Sequence, residues 1–187
     1  MITQTFYSDS GGPTDSFDGG LEAELAAVAN FKPDLSVLQE RIEKLVIEAN
    51  REARLAGRDA FGDELREISE AGWKKRRQRG QGSGPPLLPD GEESRAIRNF
   101  ICTTDVVPGS IEVNAGWVAA DFLRGHALGD YPLPVRDIIS ALPEEVQVEI
   151  QRLIAEETDR QLAEAIAEAK RSKGILNRIG SFFGFGR

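Results

Sequence analysis

Nucleophilic catalysis needs a Ser, Thr or Cys beside a positioned base, and this chain offers a single cysteine, Cys102, and a single histidine, His126. His126 stands in Gly125-His126-Ala127-Leu128-Gly129, which reads as a helix exit, where a histidine caps carbonyls or faces water. Cys102, between Ile101 and Thr103, has no basic neighbour to lower its thiol pKa and is expected as a small core residue. One cysteine and one histidine make neither a disulfide within the chain nor a zinc set. Gly57 and Gly62 have the spacing of a phosphate loop, but Asp63 stands where the loop needs a lysine and would repel phosphate. Gly80-Gln81-Gly82-Ser83-Gly84 runs into Pro85-Pro86 instead of opening a helix, so it cannot aim backbone N–H groups at a nucleotide. With 31 acids in the chain, carboxylates fall near one another by number alone and point to no acid–base pair. The expectation is a protein that is not an enzyme, with no catalytic residue, cofactor, metal or small-molecule substrate.

Two other clusters could bind rather than react. Lys74-Lys75-Arg76-Arg77-Gln78-Arg79 places five cations in six residues at a helix end beside a glycine-rich stretch. Lys74, Lys75, Arg76, Arg77 and Arg79 could follow a phosphate backbone, or they could complement the helix dipole and meet Glu92, Glu93 or the acids of another copy. The second cluster closes the sequence. If Gly174 to Phe183 is helical, Ile175, Leu176, Ile179, Phe182 and Phe183 share one face, with Phe185 just beyond. Three phenylalanines among the last six residues are costly to leave in water, so this tail is expected to dock on its own body, another copy, another protein or a lipid surface. A helix this short is marginal alone and forms when a surface accepts it.

The charge pattern sharpens that expectation. The net charge is −8, which argues against a protein whose whole surface binds nucleic acid. Residues 144–169 hold eight acids and two arginines, a net −6, whereas 170–187 hold five bases and no acid, +5. An acidic rod with a basic end can pair with its own copies. Anionic lipid would attract the basic end and repel the acidic helix before it. Nothing at Met1–Phe6 resembles a secretory signal and no apolar run is long enough to span a bilayer, so synthesis in the cytoplasm is expected, with later incorporation into a virus particle or other large assembly open.

The elements that would carry these clusters read as mainly helical. Hydrophobic residues make up 40% and aromatics 7%, so the core is aliphatic and suited to helix packing. Residues 1–20 are read as an extended arm, 21–79 as a helical module, 80–93 as a Gly/Pro linker, 94–172 as a second helical module and 173–187 as the docking tail. Leu21, Leu25 and Val28 share a helical face before Lys32-Pro33. Asp34 or Ser36 can cap a longer helix whose seam, Leu35, Leu38, Ile42 and Leu45, steps by three and four residues toward neighbouring helices. A further helical stretch is expected over 63–73. Thr103–Val107 and Ser110–Val113 allow one short hairpin about Pro108-Gly109. Asn114 is expected to cap a helix to Gly125 that buries Trp117, Val118, Phe122 and Leu123. A short helix is expected over 135–142, and Pro143 then opens a long one striped by Val146, Ile150, Leu153, Ile154, Leu162 and Ile166. The fold class expected is all-α. The function expected is a non-catalytic assembly protein that oligomerises through its arms and tail, organised like components of virus particles and head–tail connectors. The alternative is an adaptor that uses 74–79 on nucleic acid or 170–187 on a membrane.

Overall fold

A computed structural model describes residues 2–8, 28–29, 31–59, 63–65, 67–118 and 142–182, with the backbone alone for Ile2, Glu92 and 173–182. The elements are strand β1 (Ile2–Tyr7), a 3-10 turn (Leu35–Leu38), helix α1 (Gln39–Leu55), helix α2 (Glu70–Gln78), a 3-10 turn (Gly91–Glu93), the single-turn helix α3 (Arg95–Arg98), strands β2 (Phe100–Val107) and β3 (Ser110–Trp117), and helix α4 (Glu144–Phe182).

The all-α expectation is overturned: the fold is mixed α/β, built on a three-stranded antiparallel sheet of order β1-β3-β2. The hairpin forms where β-branched residues flank Pro108-Gly109, and it is longer than the sequence indicated. Val107 pairs with Ser110 and Phe100 with Trp117. Proline fixes the first turn position and Gly109 takes φ +80°, the value a type II turn demands at its second. The Gly109 carbonyl also accepts from the Ser8 amide at 3.0 Å and the Ser8 hydroxyl at 3.1 Å, which seats the end of β1.

β1 lies within the expected extended arm and pairs with β3 from Ile2↔Ala115 to Tyr7↔Ser110. Its partner is more than a hundred residues away, so no local pattern announces it. Asn114 and Trp117, expected on a helix, belong to β3 instead. Alternation along that strand turns Ile111, Val113 and Ala115 toward the core, which a helical period could not do. Phe122, Leu123, His126 and the helix expected over 135–142 lie outside the described residues, as does most of the helix expected from Leu21.

One core cluster joins Phe6, Leu35, Leu38, Ile42, Val46, Cys102, Ile111, Val113 and Ala115 with Leu142, Val146, Ile150, Leu153 and Ile154 of the α4 approach and first turns. It draws on both sides of the 80–93 segment. The expected seam residues Leu35, Leu38 and Ile42 are buried and Leu45 is partly buried against the cluster; α1 thus packs on the sheet and α4. Asp34 caps the entry by accepting from the Ser36 amide at 2.9 Å. At the exit Gly57, at φ +70°, donates to the Arg54 carbonyl while Arg58 donates to that of Ala53, the paired bonds of a Schellman cap. The free edge of β2 is sealed by α1. Gln39 donates to the Thr104 carbonyl at 2.8 Å, and Glu43 accepts from both the Thr104 amide and its hydroxyl at 2.9 Å.

The helix expected over 63–73 starts later, at Glu70, because Ser69 accepts from the Gly72 amide and caps it there. α4 starts as expected: the Pro143 carbonyl accepts from the Val146 and Gln147 amides, and Glu144 and Glu145 occupy the positive end.

Candidate functional site

α4 has 39 residues, about 58 Å at 1.5 Å each. Its first turns bury Val146, Ile150, Leu153 and Ile154, and Thr158 is its last buried residue among the described side chains. The apolar stripe continues through Leu162 and Ile166, both half-buried. Its steps are of four residues, and four residues overshoot a 3.6-residue turn, so the stripe winds round the helix. At 100° per residue Ile166 lies about 160° round from Ile150. The stripe that is fully buried near the start of the helix is only partly covered at Leu162 and Ile166.

The changeover is held by a clasp. Gln161 accepts from the Asp34 amide at 2.8 Å and donates to the Asp34 carbonyl at 2.7 Å and to Glu157 at 2.6 Å. Hydrogen bonds from Arg160 and then Gln161 hold the Glu157 carboxyl below its ordinary range, and the Ser36 hydrogen bonds do the same for Asp34. Outward, Arg152 bridges Glu149 and Glu156, and Arg160 bridges Glu157 and Glu164. Each bridge sets one cation against two acids, so the helix surface stays negative. The backbone remains helical to Phe182. Ile175, Leu176, Ile179 and Phe182 therefore sit on helical backbone, and Phe183 and Phe185 lie outside the described residues.

The basic run sits on α2 and its cap. Arg76 differs from its neighbours: it points inward, donating to the Gly84 carbonyl at 2.6 Å and the Pro85 carbonyl at 3.1 Å, with its guanidinium 5.3 Å from the Trp73 ring centre. Burial lowers its pKa, with Asp90 opposing. Lys74, Lys75, Arg77 and Arg79 are exposed. Glu93 pairs with Arg98 at 3.1 Å and not with this run. The glycine-rich stretch is packed: a Cβ on Gly84 would lie 1.9 Å from the Leu88 carbonyl oxygen and one on Gly82 2.3 Å from that of Pro89. Leu87 takes φ 69° to turn Leu88 into full burial.

Sequence reasoning missed Arg54, which is 3% exposed. It donates to the Arg58 carbonyl at 2.8 Å and Asn50 at 3.3 Å and lies 5.7 Å from the Trp117 ring centre. Burial lowers its pKa to about 10, with Asp59 opposing, so it stays charged at neutral pH. Trp117 in turn donates to the Ala96 carbonyl at 2.8 Å and meets Phe100 edge to face. Only its i+4 spacing from Asn50 and Arg58 hinted at this role. Cys102 is buried, and burial followed by the nearby Glu43 pushes its thiol up to about 12, the behaviour of an inert core thiol.

On the far sheet face Asp105 lies opposite Glu112. Asn114 donates to both, at 3.3 and 3.1 Å, and accepts from Thr3 at 2.6 Å. This network relieves a like-charge pair. Among the described residues no group of three metal-ligating side chains comes together, and no helix is long and apolar enough to cross a membrane. No family model, curated protein or solved structure matches this chain.

Proposed function

We propose that this is a non-catalytic assembly subunit whose long C-terminal helix docks on the same helix of a second copy. The observation that carries the reading is the winding stripe of α4. Leu162 and Ile166 continue the core seam beyond Ile154 and Thr158 but stay only half-buried in the single chain. Charge selects the occupant. The acidic run 144–169 and the basic run 170–187 oppose each other when two such helices lie antiparallel, so like helices attract. The tail residues Ile175, Leu176, Ile179, Phe182, Phe183 and Phe185 extend the same contact, because antiparallel pairing centred near Leu162 and Ile166 lays 172–182 along the start of the partner helix.

The energetics support a real interface. Fully burying a Leu or Ile is worth about 1.5 to 3 kcal/mol, so completing the burial of two half-buried side chains on each copy gives about 4 kcal/mol. That is about half of the 8 kcal/mol that a micromolar Kd requires, so the tail contacts must supply the rest. The helix is already formed through this region, which keeps the ordering cost low.

Light scattering on the native protein tests it. The wild type is expected to scatter as a multiple of 20.5 kDa, and a Leu162→Glu/Ile166→Glu variant as the single chain with unchanged helical circular dichroism. A wild type that stays at the single-chain mass up to about 100 μM, far above a micromolar Kd, sinks the reading.

A further inference from the structure

We propose that the outer side of α2 is a nucleic-acid contact that grips the phosphate backbone without reading sequence. This goes beyond subunit assembly and uses a different element.

The ridge is built, not merely basic. Ser69 caps its start, and the Arg79 amide donates to the Lys75 and Arg76 carbonyls at its end. Arg76 turns inward and ties the helix to the Gly84–Pro85 backbone. That loop is locked in turn by the close approach of Gly82 and Gly84 to the Pro89 and Leu88 carbonyls. The remaining cations face water. At 100° per residue Arg77, Lys74 and Lys75 cover about 160° of the helix, with Arg79 at the cap. Glu70, in the first turn, is the only acid of the helix. Among the described residues none of Lys74, Lys75, Arg77 and Arg79 has an ion-pair partner.

Four exposed cations fixed on one rigid face need a dense array of negative charge to answer them. Glu70, one turn before Lys74, is a single acid against four cations, and Glu93 is taken by Arg98. The acids of α4 are partly answered by Arg152 and Arg160 and, in the assembly, by the basic helix end. An anionic bilayer fits less well, because peripheral helices insert apolar side chains beside their cations. Here Trp73 lies under Arg76 and the outward positions hold Glu70, Ala71, Lys74, Lys75, Arg77 and Gln78, with no large apolar side chain among them. A nucleic-acid backbone supplies phosphates at high linear density and asks for no apolar partner. The overall charge of −8 does not forbid the contact, since acids more than about 8 Å away are screened at physiological salt.

Fluorescence anisotropy with labelled DNA duplexes of about 20 base pairs and unrelated sequences tests the proposal on the full-length protein. Each phosphate contact contributes about 0.9 to the slope of log affinity against log salt. The Lys74→Gln/Arg77→Gln variant is therefore expected to bind about tenfold more weakly at about 0.1 M salt and to lose close to two units of slope, equally for every duplex. Its native mass should equal the wild type's, which separates this test from the assembly test. An absence of duplex binding at low salt overturns the proposal, as does an unchanged slope in the variant. Preference for phosphatidylserine vesicles over duplex, lost in the variant, overturns it in favour of a membrane. A change of native mass in the variant without duplex binding overturns it in favour of a subunit contact.

Discussion

Arg54 shows how one side chain can organise a region that its neighbours leave short of apolar packing. A buried guanidinium is tolerable only when its donors are met, and here they reach the Arg58 carbonyl and Asn50, with the cation set against Trp117. The same side chain therefore joins the end of α1, the turn after it and the end of β3. Arg54→Ala is expected to cost about 2 to 4 kcal/mol, because it opens a cavity and strands the Arg58 carbonyl. Arg54→Lys should recover only part of that loss, since an ammonium cannot span both acceptors with a planar fork. Urea unfolding followed by circular dichroism checks both, and an alanine variant within about 0.5 kcal/mol of the wild type, the usual range of a surface change, contradicts the assignment. Beyond its i+4 spacing from Asn50 and Arg58, nothing in the sequence separates Arg54 from Arg51 or Arg58. Which arginine is buried is decided by Trp117, more than sixty positions away, and local patterns carry no such information.

At the scale of elements, the clasp between the start of the 3-10 turn and α4 decides where the long helix leaves the body. Gln161 matches the Asp34 backbone with one acceptor and one donor, as a neighbouring strand would, and Glu157 orients it. The Glu157 and Asp34 carboxyls are both held below their ordinary values. Such groups stabilise the fold above their unfolded pKa values, near 4.5 and 3.8, and that contribution is lost as pH falls through the lower folded values. Thermal melts between pH 7 and pH 3 should show Tm falling below about pH 4.5, and Gln161→Ala should lower Tm at pH 7 by about 2 to 4 °C while flattening the acid limb only by the share of the Glu157 shift that Gln161 supplies, since Arg160 and Ser36 remain. Equal acid sensitivity in the variant would show that the clasp is not what titrates. Helices α1 and α4 were legible because cap, period and charge agree along each. The sheet was half legible. Pro108-Gly109 and its β-branched flanks marked the hairpin, but β1 gains its ladder only from β3, and Asn114 and Trp117 fit a helical period as well as a strand until Thr3, Thr103 and Phe100 are paired with them.

For the whole molecule, the proposed assembly rests on a division of labour along α4. Leu142 to Ile154 complete the core cluster, and Thr158 is the last buried position among the described side chains. Beyond it the helix keeps the Gln161 clasp on Asp34 and leaves Leu162 and Ile166 half-buried. The docking role proposed for its tail was read from composition, because apolar side chains and five bases follow an acidic run. The handover near Thr158 was not, since it depends on how far the stripe has wound relative to a core that the sequence does not position. A chain ending at Ser172 separates the two roles. It keeps every core residue, so its Tm at low concentration is expected to stay within about 2 °C of the full-length protein's, less than a 1 kcal/mol change would produce. It loses the basic end that answers the acidic run of the partner, so its native mass is expected to fall to the single chain and its acidic helices to repel. Raising salt should act in opposite directions on the two proteins: full-length association weakens as attraction is screened, whereas the shortened chain associates slightly better as repulsion is screened. Sedimentation at about 50 mM and 1 M salt measures both, Debye lengths of roughly 14 and 3 Å. Parallel salt responses in the two proteins would show that the charge reversal along α4 plays no part in assembly.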